Sequence, residues 1–227
     1  MRTQVAVLSG IVLSASAVLA AAEDREVPPF ESVHVASGIR ATVTVGPRKP
    51  VHLEADKDVL DAIETRVEDG TLHVGFKPRA RVSSPGEVIA SIQTPDVHAV
   101  AASGGAMVRA TFTRWPQCAI AASGGGEVHV RGVDARELAV DGSGGAVLDV
   151  SGRADQLDLQ LSGGSHLDAR QFEARNVHVQ GSGGSVAELR ASGKVRGGLS
   201  GGSEMHVRGG ARATVATSGG SEISVDD

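Results

Sequence analysis

Ser103-Gly104-Gly105 is the first of seven Ser-Gly-Gly tripeptides in this chain of 227 residues. The other six are Ser123-Gly124-Gly125, Ser143-Gly144-Gly145, Ser162-Gly163-Gly164, Ser182-Gly183-Gly184, Ser200-Gly201-Gly202 and Ser218-Gly219-Gly220. Successive copies begin 20, 20, 19, 20, 18 and 18 residues apart. A turn motif repeated at so regular a period is typical of a repeat architecture, in which stacked units share one interior.

The residues on both sides of each tripeptide alternate between apolar and polar, as in strands with one buried face. Three residues before each serine stand Val100, Ile120, Val140, Leu159, Val179, Gly197 and Val215. Five residues after each serine stand Val108, Val128, Leu148, Leu167, Ala187, Met205 and Ile223. Units of two short strands cannot bury an apolar face alone, so we predict an all-β fold, a parallel β-helix with 18–20 residues per coil.

Two other all-β architectures fit the pattern less well. A β-propeller blade needs about twice this period. A β-sandwich has no reason to repeat one turn motif.

The glycines of each tripeptide let the chain turn sharply, because glycine accepts positive φ and carries no Cβ. We interpret the seven tripeptides as structural corners, with serine hydroxyls bonded to the turn backbone or to neighbouring coils. The stretch Asp141-Gly142-Ser143 superficially resembles the surroundings of a serine nucleophile. The same turn recurs seven times, and no histidine or aspartate partner is singled out, so the sequence predicts no catalytic residue.

The N-terminal 22 residues are typical of an export signal. A lone Arg2 precedes an apolar run, and small residues stand before Glu23. Residues 23–227 are predicted to form one domain, with degenerate coils over 27–95 and regular coils over 96–227. No integral membrane segment is expected once the signal is removed.

Two features interrupt the degenerate coils. Asp56 is placed to cap a short helix that carries Val59, Leu60, Ile63 and Val67, and this helix is expected to help close one end of the stack. Residues 77–86 contain two prolines and several basic residues. They predict an exposed loop.

Charge and cysteine content restrict the partners. The chain has 22 basic and 27 acidic residues, a net charge of −5, which argues against nucleic acid as a partner. Cys118 is the only cysteine, so an intramolecular disulfide is excluded and we expect a free, buried thiol. The sequence predicts no cofactor and no metal site.

One outward-facing column is acidic. Counting six residues after successive serines, stacking brings together Asp149, Asp168 and Glu188, a candidate ligand or cation face because hard cations bind carboxylate oxygens. The alternative is a solvated acidic face, relieved by nearby arginines such as Arg170 and Arg190.

The opening Phe30-x-x-Val33-x-Val35, the segment Gly38-Ile39-Arg40, the segment Asp69-Gly70-x-Leu72-x-Val74 and the serial Ser-Gly-Gly coils together resemble a bacterial family, the "putative auto-transporter adhesin, head GIN domain", formerly a domain of unknown function. Arg40 stands where the family has the asparagine of Gly-Ile-Asn. The resemblance implies a right-handed, pectin-lyase-like parallel β-helix and a role in adhesion at the cell surface.

We therefore expect an exported, non-catalytic binding, adhesion-like or structural module of the bacterial envelope, periplasmic or at the surface. Its partner would be an envelope or surface ligand, protein or glycan. Two alternatives stay open. The first is a polysaccharide-active β-helix enzyme, a lyase or hydrolase, and the second is a self-associating periplasmic scaffold, a homo-oligomer.

Overall fold

The computed structural model describes residues 20–80, 82 and 86–226, so most of the predicted export signal lies outside the described residues. The described N-terminal region contains one helix and nine strands. These are β1 (Ala20–Arg25), β2 (Ser32–Ala36), β3 (Arg40–Val45), β4 (Val51–Asp56), α1 (Lys57–Leu60), β5 (Ile63–Glu68), β6 (Thr71–Phe76), β7 (Ile89–Thr94), β8 (Ala99–Ser103) and β9 (Met107–Thr111). The strands that follow are β10 (Gln117–Ser123), β11 (Glu127–Ser143), β12 (Val147–Leu161), β13 (His166–Gly181), β14 (Val186–Leu199), β15 (Glu204–Arg208), β16 (Arg212–Thr217) and β17 (Glu222–Asp226).

The fold is a parallel β-solenoid, as the repeat predicts, and the structure has about six turns. Each coil has a first leg that follows one Ser-Gly-Gly turn and a second leg that leads into the next. In the middle coils both legs belong to single bent strands, β11 to β14. Equivalent residues pair in register along the stack, as Leu138 with Leu157 and Leu157 with Val177.

The interior is filled by the predicted apolar columns, most of whose members are at most a few per cent exposed. The column just before each serine alternates small and large in the middle coils, with Gly142, Leu161, Gly181 and Leu199. A Cβ on Gly142 would lie 2.7 Å from Leu161 Cδ2, and one on Gly181 would lie 2.6 Å from Leu199 Cδ2. Each leucine therefore fills the space that a neighbouring glycine leaves, which gives the dense packing expected of a protein core.

The stacking order at the N-terminal end differs from the chain order. The first coil, β2 and β3, lies between β6 and β8 on the second leg and between β7 and β9 on the first. Antiparallel strands close this end: β1 and β4 on the first leg, and β5 on the second. The β5–β6 hairpin turns at Asp69 and Gly70, which have φ of 49° and 73°, as in the type I′ turns that suit hairpins.

The predicted helix from Asp56 to Val67 is wrong in extent. Helix α1 contains four residues, and Asp56 has extended backbone and makes no side-chain capping bond. Ile63 and Val67 belong instead to β5, opposite Phe76 and Leu72 of β6. Their spacing also fits a strand, which pairs with β6 along six residues, whereas an isolated helix of three turns begins with an unfavourable nucleation step.

The predicted loop leaves β6 through exposed residues 77–80, while residues 81 and 83–85 lie outside the described residues. Cys118 is free and buried, as expected, and burial raises the pKa of its thiol to about 11. In residues 20–80, 82 and 86–226, no helix is both long and apolar enough to cross a membrane.

Candidate functional site

A long open groove of about 860 Å³ follows the second legs where they enter the Ser-Gly-Gly turns. We call it the serine groove, because the seven turn serines line it from Ser103 to Ser218. A second column lies two residues before each serine and consists of Ala101, Ala121, Asp141, Gln160, Gln180, Gly198 and Ala216. His34 lies at one end of this column, paired in register with Ala101.

Three polar side chains occupy the centre of the serine groove. Asp141 pairs in register with Gln160, and Gln160 pairs with Gln180, so all three project from consecutive coils. His178 Nε2 lies 3.4 Å from Gln180 Nε2. Partial burial raises the pKa of Asp141. Small residues stand on both sides of this trio, which leaves room above the groove floor for an elongated ligand.

Sequence reasoning missed this column, although its signal is present. The predictions made from the sequence were based on the apolar columns and on the column six residues after each serine. In the column two residues before the serines, four of the seven positions are alanine or glycine. The other three are Asp141, Gln160 and Gln180. The fold does not require three successive polar residues here, since it accommodates alanine at the same position elsewhere, and they make this part of the outer surface a candidate binding site.

The corner serines differ in their environment from a second set of serines beneath the turns. Ser165, Ser185 and Ser203, three residues after their respective corner serines, are buried. Ser165 Oγ donates to Ser162 O at 2.9 Å, and Ser203 Oγ donates to Ser200 O at 2.8 Å. Ser165 and Ser203 thus donate to turn carbonyls, and Ser185 Oγ donates to Ser203 Oγ at 3.2 Å, so the role of these buried hydroxyls is structural. The sequence analysis did not single them out.

Every Ser-Gly-Gly turn has its first glycine in the left-handed region, with φ between 56° and 74°. The second glycine also has positive φ in five turns, at Gly105, Gly125, Gly145, Gly202 and Gly220. That the tripeptides are conformationally required stays a prediction, which substitution can test.

A histidine pair lies at the N-terminal end of the serine groove. His34 Nε2 is 3.1 Å from Ser103 Oγ, and His34 Nδ1 is 3.4 Å from His73 Nδ1. Burial, with a smaller contribution from His73, lowers the pKa of His34. A nucleophilic triad orients its histidine with a carboxylate, whereas His34 contacts a second imidazole here.

The His34 environment predicts acid sensitivity. Because its pKa is lowered on folding, the unfolded chain binds a proton more readily below about pH 6.5, and stability falls as the pH decreases through that range. We expect the melting temperature to decrease between pH 7 and pH 5 by less in His34→Gln than in the wild type, measured by circular dichroism.

His52→Gln serves as the control with the opposite sign. A hydrogen bond to Asp24 raises the pKa of His52, so protonated His52 adds stability at low pH that is lost as the pH rises. Its removal should steepen the decrease on acidification. Identical pH slopes in the wild type and both variants would contradict this assignment.

The acidic column lies on the first legs, away from the residues that line the serine groove. Asp149, Asp168 and Glu188 pair in register as successive rungs. Arg170 Nε is 2.9 Å from Asp168 Oδ1 and 3.5 Å from Glu188 Oε2, and hydrogen bonding to Arg170 lowers the pKa of Asp168. His129 Nδ1 lies 3.3 Å from Asp149 Oδ2.

These contacts favour the alternative of an acidic face that is compensated by the protein's own cations. Within the described part of the chain, no group of three or more histidine, cysteine, aspartate or glutamate side chains is arranged to hold a metal ion. The ligand or cation face at this column stays a hypothesis, and Arg170 is the side chain that a cation would have to displace.

We expect millimolar calcium to leave the melting temperature of the wild type unchanged, because the Arg170 guanidinium is already bonded to the Asp168 carboxylate. In Arg170→Gln, the pKa of Asp168 should rise towards its ordinary value, measured by NMR titration of the carboxyl carbon. Arg190→Gln is the control and should leave that pKa in place, since Arg190 aligns with Glu173 and Arg208. A calcium-dependent increase in wild-type stability would instead support a cation site.

The Gly38-Ile39-Arg40 segment runs from the turn after β2 into the first residue of β3. Gly38 has a φ of 74°, and Ile39 is completely buried. Arg40 is exposed, and its Nη1 lies 2.8 Å from Glu87 Oε1. The position at which this chain departs from Gly-Ile-Asn therefore carries a surface ion pair.

Comparison with known proteins agrees with this fold. A "putative adhesin" from Bacteroides fragilis superposes with a TM-score of 0.81 at 16% identity, over 92% of this chain and 96% of that chain. A "putative adhesin" from Parabacteroides distasonis gives 0.73 at 16% identity, over 92% and 97%. A "putative lipid binding protein" from the same species gives 0.72 at 13% identity, over 92% and 96%. At such identities the likeness shows the fold alone.

A search of curated proteins gives no match. The family model described as "Putative auto-transporter adhesin, head GIN domain" matches residues 29–211, which confirms the resemblance seen in the sequence. Because this match covers most of the chain, the protein belongs to the auto-transporter adhesin head GIN domain family.

Proposed function

We propose that this protein is an exported, non-catalytic binding module of the bacterial envelope, and that its ligand lies in the serine groove. The observation that carries the proposal is the groove itself, in which a continuous column of seven serines runs beside a polar centre on a stack of paired coils. Preformed concave surfaces with a few convergent polar groups are the usual form of a binding site. The adhesin description of the family supports the same class of function.

The chemistry of the groove favours binding over catalysis. Among the described residues that line it, Asp141 is the single carboxylate. Hydrolysis of a glycosidic bond by the usual mechanism requires two carboxyl groups with different roles. Ser103 has a histidine neighbour, His34, but that histidine is oriented by His73 rather than by a carboxylate.

The test compares retention of the purified protein on envelope preparations, including outer-membrane vesicles, peptidoglycan and surface polysaccharide. Ala121→Arg fills the groove floor with a long cation, whereas Val147→Arg adds the same charge on an exposed first-leg position. We expect saturable retention of the wild type and of Val147→Arg, with retention of Ala121→Arg strongly reduced.

Each contrary result has a definite meaning. Equal retention of both arginine variants would mean that the ligand binds outside the serine groove. Release of soluble fragments or new reducing ends from a retained polysaccharide would show that the protein cleaves it, and this would contradict a non-catalytic function. The absence of retention on every preparation would contradict a binding function.

A further inference from the structure

We infer that the serine groove binds an extended, uncharged polysaccharide chain, and that Gln160 and Gln180 provide its central hydrogen bonds. This inference rests on the proposed function and specifies its ligand class. Four properties of the groove carry it: the charge of its lining, the hydrogen-bonding capacity of its centre, its length and the pairing of the strands beneath it.

The charge of the lining argues against an anionic ligand. No lysine or arginine is present among the described residues that line the groove, and its titratable members are Asp141, His34 and His178. Recognition of carboxylate, sulfate or phosphate groups normally relies on arginine or lysine. A polyanion would also meet Asp141 at the centre, where like charges repel.

The centre of the groove is suited to hydroxyl groups. Each glutamine amide offers two donors and a carbonyl acceptor, and each corner serine both donates and accepts. Sugar hydroxyls have the same dual capacity. Gln160 and Gln180 are exposed, and no side-chain bond to the rest of the described protein engages Gln160. Its amide is therefore available to a ligand.

The length and periodicity of the groove favour a polymer. Adjacent rungs of a parallel sheet are separated by about 4.8 Å. From the His34 rung to the Ala216 rung there are seven such steps in register, so the track extends for roughly 34 Å. The flanking small residues, Ala101, Ala121, Gly198 and Ala216, leave the floor open for a chain that continues beyond the polar centre.

Two other elongated ligands fit the groove poorly. An extended peptide added as a strand needs an unpaired sheet edge, but β10 to β13 are hydrogen-bonded on both sides along the second legs. An acyl chain would cover Asp141, Gln160 and Gln180 without offering them a hydrogen-bond partner, which is unfavourable for buried polar groups.

Affinity electrophoresis of the full exported chain tests the inference. The gels contain dextran, mannan, soluble β-glucan or chitin oligomers as uncharged probes, and polygalacturonate as the anionic counterpart. Flotation with phosphatidylcholine vesicles tests a lipid surface separately. We expect retardation by at least one uncharged polysaccharide, and neither retardation by polygalacturonate nor flotation.

Substitutions then locate the contact. The double variant Gln160→Ala/Gln180→Ala should bind about tenfold more weakly, as expected for the loss of two hydrogen bonds. Gln156→Ala, in the same strand as Gln160 but outside the groove, should bind like the wild type. Asp141→Asn should retain the affinity for an uncharged chain. Because all these side chains are exposed, we expect unchanged melting temperatures.

Several outcomes would overturn the inference. Wild-type affinity in the double glutamine variant would remove the assigned contacts. A large loss in Asp141→Asn would indicate a cationic ligand, and binding only to polygalacturonate or to vesicles would indicate an anionic polymer or a lipid surface. If no uncharged polysaccharide binds while groove-dependent retention on envelope preparations persists, the ligand class is rejected and the proposed function stands.

Discussion

Replacing Gly183 by valine is expected to decrease the free energy of unfolding by about 3 kcal/mol or more. Gly183 has a φ of 74°, which is unfavourable for a β-branched residue. A Cβ at this position would lie 2.8 Å from Gly163 O and 3.0 Å from Gly163 N. These contacts involve the backbone of the adjacent coil, which cannot move away without disturbing the stack.

Gly184 provides the matched control within the same turn. A Cβ on Gly184 has no atom within 4 Å, and its φ lies outside the left-handed region. Thermal and urea denaturation should therefore show a decrease of roughly 6–12 °C for Gly183→Val and little change for Gly184→Val. Equal stability of the two variants would refute a conformational requirement at the first glycine of the turn.

The regular coils could be predicted because their signal is redundant. Apolar columns, such as the one that contains Val140, Leu159 and Val179, repeat with the same period as the turns. Each repeat unit therefore constrains the register of the other units. Since hydrogen-bonded pairing aligns whole columns, the vertical stacking of Asp149, Asp168 and Glu188 followed from the same counting. The ion pairs of Arg170 did not follow, because a long side chain can reach several rungs.

The N-terminal end could not be predicted to the same degree. No repeat relates β4 or β5 to the later coils, and the spacing of Val59, Leu60, Ile63 and Val67 fits a helix as well as a short helix followed by a strand. The choice depends on a partner strand, β6, which only the tertiary structure supplies. The chain also places β6 and β7 on the outer side of its first coil, β2 and β3, before it continues with β8 and β9 on the other side. No local sequence signal predicts this order.

The candidate site was harder to predict than the fold. The turn serines were conspicuous, yet the polar residues that distinguish one part of the groove, Gln160 and Gln180, stand in a column that is unremarkable in most coils. Their proximity depends on the stacking register, and the concavity depends on the shape of the whole surface. Sequence analysis placed the turns at the Ser-Gly-Gly tripeptides and a candidate ligand face at the acidic column, whereas the serine groove becomes visible only once the coils are stacked.

Phe172→Ala is expected to decrease the free energy of unfolding by about 3–5 kcal/mol. Phe172 is completely buried in β13, at the bend between the two legs of its coil, and it pairs in register with Gly152. Gly152 cannot accept a side chain, because its Cβ would lie 2.2 Å from Val133 O. Since Gly152 has no side chain, the coil on that side of Phe172 has no side chain at this rung that could move into the cavity left by alanine.

Phe172→Leu keeps most of the apolar volume and is the matched control, with an expected loss below about 1.5 kcal/mol. Urea denaturation followed by circular dichroism measures both variants. Alanine and leucine variants of equal stability would mean that the coil collapses around the cavity. A large difference would instead show that the bend is rigid, and rigid bends are what hold the second legs, and with them the floor of the serine groove, in a fixed register.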